Sequence, residues 1–422
     1  MFARVRTPAA PSPAAPLDTA PRCLANVRVI AALIVAALAI AACGEDLPST
    51  SQWTSGHDIV RGEAPLAYIS DNGSDTVSIV ELRTMTLRAR LPVGLDIVQR
   101  EAPHHLVAAA DLGALYVGLS NVLPSGLVGI HADHGGGDLD SYVQRLDIAD
   151  LSPDGWVRVD SNLGDIVRVP GTSRFVTSHF DLKRALDVIT AGDPIEDASA
   201  ALVIIDGETM QRIASLTICI APHGVVINTA GLAAVACYGE DSVAIVDVAA
   251  SPPVLRARVP VGAAAQALPP PTYGPYAMTL SPDGSRAFVG LSEGRGYRVL
   301  DMVSASMMPG MVADVTGAAF FGAFSPDGAT FYGPTQQLDT IVAIDAATLA
   351  PIASVTLDAE VCVAPHVIEY VAALGELMLV CEGDHRTAGT VVALDPATLE
   401  VRAFVAVGVY PDGISVVDEV SW

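Results

Sequence analysis

Ile341-Val-Ala-Ile-Asp345-Ala-Ala-Thr-Leu349 is a short apolar strand that ends in an acidic residue and runs into a turn. The same design recurs at Val77-Ser-Ile-Val-Glu81, Val143-Gln-Arg-Leu-Asp147, Val203-Ile-Ile-Asp206, Val243-Ala-Ile-Val-Asp247, Tyr297-Arg-Val-Leu-Asp301 and Val391-Val-Ala-Leu-Asp395, which makes seven copies. A further strand follows the turn, as in Arg88 to Val93 and Arg256 to Val261. Upstream of most copies lie two more strands split by a turn. That turn is clearest at Ser281-Pro-Asp-Gly284 and Ser325-Pro-Asp-Gly328, where Pro presets φ and Gly accepts a positive φ. Repeated units of four strands predict an all-β chain of propeller blades.

The ends agree with that count. The repeat region opens with three strands, Leu66 to Ser70, Thr76 to Glu81 and Arg88 to Val93, and finishes with one, Val409 to Asp418. The last strand completes the first blade and closes the ring, which hides the edges that an open array would expose. The expected blades are 66–94 with 409–420, then 102–163, 164–218, 221–262, 273–315, 317–357 and 364–408, with insertions at 122–141 and 181–200.

Ala67-Tyr-Ile-Ser-Asp-Asn-Gly-Ser-Asp-Thr-Val-Ser-Ile-Val80, Tyr116-Val-Gly-Leu-Ser-Asn121 and the Ser-Pro-Asp-Gly turns resemble the YVTN-repeat β-propellers, which are similar to surface-layer and quinoprotein-like propellers. The resemblance covers nearly all of residues 64–420. It implies a seven-bladed propeller and leaves function open, because such scaffolds host binding modules and enzymes alike.

Ahead of the repeats, Arg22 and Arg28 precede an apolar run from Val29 to Ala42 that ends in Ile40-Ala-Ala-Cys43. This is the order of a signal peptide: basic region, short apolar region, small residues before a cleavage point. The run is 14 residues, about 21 Å as a helix against a hydrocarbon core of about 30 Å, so a spanning helix is the poorer reading. Its ending resembles the lipobox of bacterial lipoproteins, which implies lipidation of Cys43. Residues 1–42 are expected to be the signal, 43–63 a flexible tether and 64–422 the propeller. An outer-membrane lipoprotein facing the periplasm or the exterior is the expected location, with the lipid anchor as its membrane contact, and the protein is expected to be a monomer.

The chain carries a net charge of −24. Residues 1–42 hold four arginines and Asp18, a net +3, so −24 minus 3 gives −27 beyond the signal. A chain this acidic, with Lys183 as its lone lysine, is repelled by phosphate backbones, and nucleic acid is excluded as a partner. Cys219 and Cys237 are 18 apart and Cys362 and Cys381 are 19 apart, and each first cysteine stands three residues before a Pro-His pair. In an exported protein this duplicated spacing reads as two disulfides that pin the rim of blades 4 and 7.

Aligning the blades on the turn into the inner strand gives one residue per blade at the channel mouth. These are Asp412, His104, Asp165, His223, Tyr276, Phe320 and His366 in blades 1 to 7. Three imidazoles and two carboxylates converging on one axis make a candidate site for one divalent transition-metal ion, or an acid–base pocket; the bland reading is a wet channel with each imidazole bonded to a carbonyl. His179 and His385 are expected near the same rim. The insertion His131-Ala-Asp-His134-Gly-Gly-Gly-Asp138-Leu-Asp140 reads as a solvated Gly-rich loop with potential ion ligands.

Gly290-Leu-Ser-Glu-Gly294 spells a nucleophile elbow but leads from strand to strand, and no Cys-x-x-Cys-His, His-Glu-x-x-His or phosphate loop exists. With no complete catalytic constellation and no certain cofactor, the leading expectation is a binding or scaffold module that takes an unidentified protein or small molecule at the channel-mouth face. The alternative is a metal-dependent enzyme, a lactonase-like hydrolase or an oxidoreductase, using His104, His223 and His366.

Overall fold

Each acid-ended strand of the repeat lies third from the axis in an antiparallel sheet of four strand positions, the innermost being split into Ala318–Ala319 and Ala323–Phe324 in blade 6. The structure is a computed structural model, and it describes residues 64–418 apart from 97–99, 121–135, 138, 263–270 and 311–314. Cys43, the signal and tether segments, His131, His134 and Asp138 lie outside the described residues. Seven such sheets form a β-propeller. Blade 1 is closed by the C-terminal strand Pro411–Val417, which pairs antiparallel with Leu66–Asp71 from Leu66↔Val417 to Asp71↔Pro411.

The acidic residue of the motif builds the turn that follows it. Asp345 Oδ1 accepts the N–H groups of Ala347 at 3.0 Å and Thr348 at 2.7 Å, and Asp395 Oδ1 does the same for Ala397 at 2.8 Å and Thr398 at 3.0 Å. These are Asx turns, in which a side chain stands in for a backbone acceptor. The Ser-Pro-Asp-Gly turns join inner to second strands. Gly284 and Gly328 both adopt φ 70°, and their N–H groups bond Ser281 and Ser325 carbonyls at 2.8 Å.

Burial explains why the middle strands read as continuous apolar runs. The second strand Ala114–Leu119 is buried at every position, because both its faces pack against neighbouring blades, whereas the outer strand Thr86–Pro92 alternates between exposed and half-buried residues. The core is accordingly divided among the blade interfaces. In one such layer Val176 and Leu202 of blade 3 pack on Val225, Val235 and Val246 of blade 4.

Blade 3 carries the one α-helix among the described residues, Leu182–Ala191, inside the insertion expected at 181–200. Asp181 caps it by accepting the Arg184 N–H at 2.9 Å, and Gly192 ends it at φ 74°. Leu182 and Ala185 turn its apolar side onto Phe180, Tyr238, Tyr276 and Phe320, so the helix roofs the aromatic side of the channel mouth.

Candidate metal centre at the channel mouth

In every blade the residue before the inner strand is left-handed: Tyr410 (φ 53°), Ala102 (46°), Asn162 (52°), Ala221 (48°), Gly274 (56°), Gly317 (105°) and Ala364 (54°). Such a backbone is uncommon outside glycine and needs support. The support is a bond from the residue just past the second strand: Ser120 N–H to Ala102 O at 3.1 Å, Tyr238 to Ala221 at 3.2 Å and Glu382 to Ala364 at 3.0 Å. The preceding blade adds another. Asp75, Asp241 and Asp339 accept the N–H groups of Ala102, Gly274 and Ala364 at 2.8, 2.9 and 3.0 Å. The Asp of the Gly-Ser-Asp-Thr-Val stretch is therefore an inter-blade clasp.

Just inside this turn the pairing slips. Pro365 opposes Cys381 while Val367 opposes Val380, so His366 is an extra residue pushed toward the axis. Asp412 is displaced in the same way in blade 1, and in blade 2 both His104 and His105 lie between the pairs Pro103↔Leu119 and Leu106↔Val117. A bulge re-aims side chains, and its repetition at this point in blades 1, 2, 4, 5 and 7 turns their side chains toward one axis. Gly413 lets blades 1 and 2 close up, since a Cβ there would stand 2.8 Å from Ser70 Oγ and 3.0 Å from the His104 carbonyl oxygen.

The expected residues meet as follows. Asp412 uses both oxygens, Oδ2 at 2.8 Å from His104 Nε2 and Oδ1 at 3.0 Å from His366 Nε2. His223 stacks on Tyr276 with ring centroids 3.7 Å apart and turns Nδ1 toward the Tyr276 carbonyl at 3.3 Å. Phe320 lies against His366, with centroids 4.9 Å apart. In blade 3 the bulged residue is Gly164, so Asp165 stands one position beyond the ring. It reaches back to His105 instead, Oδ1 to Nδ1 at 2.6 Å, while its Oδ2 accepts the Val225 N–H at 2.8 Å. His179 is buried away from the axis, with Nδ1 at 3.0 Å from Ser161 O and Nε2 at 3.1 Å from Thr177 Oγ1. Asp140, at the edge of the glycine-rich insertion, pairs with Arg158.

Two residues of the cluster, His105 and Glu382, lie outside the set expected from sequence. His105 was passed over because the alignment allowed one mouth position per blade, and the bulge supplies two. Glu382 stands just past the second strand Glu376–Cys381, outside the inner-strand turns that the alignment compares. Its signal was its place next to Cys381. Glu382 Oε1 lies 2.6 Å from His366 Nδ1 and accepts the Gln336 amide at 3.1 Å, while Oε2 lies 2.8 Å from His385 Nε2. The bridges Cys219–Cys237 and Cys362–Cys381 form as expected, with Cα atoms 5.8 and 5.3 Å apart. The second staples the turn bearing His366 to the second strand of blade 7, whereas Cys219 lies on the last strand of blade 3, Gln211–Ile220, so the first ties blade 3 to the second strand of blade 4 beside His223.

His104, His105, His223, His366, Asp165, Glu382 and Asp412 are all at most 9% exposed. Burial pulls the His105 pKa down, but the Asp165 and Asp412 carboxylates pull harder, and the net displacement is upward. Among the described residues two groups have the chemistry and spacing of a metal site: His104, His105 and Asp412, and His366, Glu382 and Asp412, the ligand atoms within each lying within 4.8 Å of one another. The first has a fitting outer shell, since Asp165 holds His105 Nδ1 and so leaves Nε2 as the ligand. Neither group contains His223 or Asp165.

The molecule is thus a seven-bladed β-propeller with a buried imidazole–carboxylate cluster at one end of its channel. No protein-family model and no curated protein matches the sequence. Solved structures do share the fold. A periplasmic gluconolactonase of Pseudomonas aeruginosa matches with a TM-score of 0.60 at 14% identity, covering 84% of this chain and 99% of its own. A candidate 6-phosphogluconolactonase of Bacteroides uniformis matches with 0.60 at 12% over the same shares, and a functionally unknown protein of Desulfotomaculum acetoxidans with 0.61 at 13%, again over 84% and 99%.

Proposed function

We propose that this protein is an exported, lipid-anchored binding propeller whose ligand is one divalent transition-metal ion, held at the closed channel mouth by His104, His105 and Asp412. The observation that carries the reading is this buried triad with its outer carboxylate Asp165. Two imidazoles and a carboxylate form a donor set that suits zinc or ferrous iron. Bonds of about 2.1 Å to an ion put neighbouring ligand atoms about 3.4 Å apart in a tetrahedron. His104 Nε2 and Asp412 Oδ2, now 2.8 Å apart, need to part by only a fraction of an ångström. Export and the anchor rest on the Ile40-Ala-Ala-Cys43 ending, and the two disulfides support an oxidising compartment.

A lactonase-like hydrolase is the second reading, favoured by the fold shared with the gluconolactonase. Size weighs against it. The channel cavity below His105 holds about 210 Å³, with Leu106, Val167, Val225, Met278, Val367 and Ile414 beside His105 and Asp165 in its lining, whereas small-molecule pockets run from about 300 Å³ upward.

Metal analysis of the full chain tests both readings. One zinc or iron per chain, lost in Asp412→Ala and in His104→Ala, is the expected result. A metal-free chain that takes up neither ion overturns the metal reading, and metal-dependent hydrolysis of gluconolactone would favour the hydrolase.

A further inference from the structure

The second triad shares Asp412 with the first, and its donors continue outward to the surface. His385 is 38% exposed at its side chain and lies 2.8 Å from Glu382 Oε2; Glu382 Oε1 lies 2.6 Å from His366 Nδ1; His366 Nε2 lies 3.0 Å from Asp412 Oδ1; and Asp412 Oδ2 lies 2.8 Å from His104 Nε2. Each carboxylate thus spans two imidazoles, one oxygen for each. Everything inside His385 on this line is at most 1% exposed. The line is also anchored: His385 stacks on Tyr410 with centroids 3.6 Å apart and planes 9° apart, and Tyr410 is two residues before Asp412. Cys381, bridged to Cys362, holds Glu382 from the other side.

We propose that His366, Glu382 and Asp412 form a transit site through which a divalent cation, first met by His385 at the surface, is handed to the buried His104–His105–Asp412 centre. This inference rests on the metal reading above. A buried site needs a path along which an ion exchanges water for ligands without a bare step, because an ion stripped of water in apolar surroundings costs many kcal/mol. Phe180, Tyr276, Phe320 and Phe321 pack together on the aromatic side of the mouth, and in the lining of the cavity beneath His105 the imidazole and carboxylate donors are His105 and Asp165 alone, the other side chains being apolar. The line through Glu382 offers an oxygen or nitrogen at each step of 2.6 to 3.0 Å.

The test is the rate of cobalt(II) uptake by the full chain, followed by its visible absorption, with the bound amount measured at saturation. His385→Ala and Glu382→Gln should each slow loading by about tenfold, the scale on which outer partners act at metal sites, and leave one ion per chain at saturation. His385 is a surface residue, so its variant is expected to fold, and circular dichroism checks this. Loading at the unchanged rate in both variants overturns the transit site while leaving the resident centre standing. Loss of the saturating ion in Glu382→Gln alone also overturns it, because Glu382 would then be a resident ligand. A wild-type chain that binds no cobalt overturns the metal reading itself.

Discussion

Asp165 Oδ1 lies 2.6 Å from His105 Nδ1 across 60 residues of sequence, and this pair assigns Asp165 an orienting part in the site. Its other oxygen is tied to the Val225 N–H, so the carboxylate is held by blade 4 while it holds a side chain of blade 2. Asp165→Asn should keep the shape and lose the charge. We expect metal affinity to fall by about 10- to 100-fold with one ion still bound at saturation, as read by competition against a chelator.

The two disulfides are predicted to separate stability from binding. They close loops of 18 and 19 residues, and removing either should cost about 3 kcal/mol in denaturant unfolding. Only Cys362→Ala with Cys381→Ala should also slow metal loading, because Cys381 adjoins Glu382 and pairs with the turn that carries His366. The Cys219 and Cys237 double variant loosens His223, which belongs to neither triad, and its metal affinity should stay near wild type.

Glu369 lies on the inner strand of blade 7, three residues beyond His366. Burial, with repulsion from Asp418 added, raises its pKa from 4.5 to about 8. The folded state therefore favours the protonated carboxyl. Its contribution is fully present below pH 4.5 and is lost as pH rises through about 8. Glu369→Gln, which imitates the protonated form, should match wild type in melting temperature at pH 4 and exceed it increasingly up to pH 8.5. Parallel pH–stability curves would rule this out.

His179 works in the opposite direction. Burial lowers its pKa from 6.5 to about 4, with the Asp160 carboxylate opposing in part. The neutral ring, held by the Ser161 carbonyl and the Thr177 hydroxyl, stabilises blade 3 above pH 6.5 and loses that contribution as pH falls toward 4. His179→Gln should flatten the acid limb of the stability curve in this window, measured by urea unfolding at pH 7, 5.5 and 4.5.

The blades were legible because their causes are local. The acids Asp147, Asp301, Asp345 and Asp395 at the ends of third strands bond N–H groups two and three residues onward, the Pro-Asp-Gly turns set their own backbone angles, and the strand order follows from repetition. Even closure by Pro411–Val417 was readable, since three strands at one end and one at the other leave a single way to complete blade 1. The cysteine pairs were readable from their duplicated spacing, but only Cys362–Cys381 joins an inner-strand turn to the second strand of its own blade; Cys219 lies on the last strand of blade 3 and is tied to Cys237 of blade 4.

The composition of the site was not legible to that depth. Which residue of a turn faces the axis depends on a one-residue bulge, and that shift separates Gly164 from Asp165 and adds His105 to His104. Which carboxylate meets which imidazole depends on how blades are spaced around the ring. His104 with Asp412 joins blades 2 and 1, His366 with Asp412 joins blades 7 and 1, and His105 with Asp165 joins blades 2 and 3. Local sequence could supply the seven blades, the closure and the staples, because strand pairing and turn chemistry act over a few residues. The imidazole–carboxylate triads belong to the assembled ring, because contacts of 2.6 to 3.0 Å between blades, across 46 to 308 positions of sequence, exist only once every blade has packed on its neighbours.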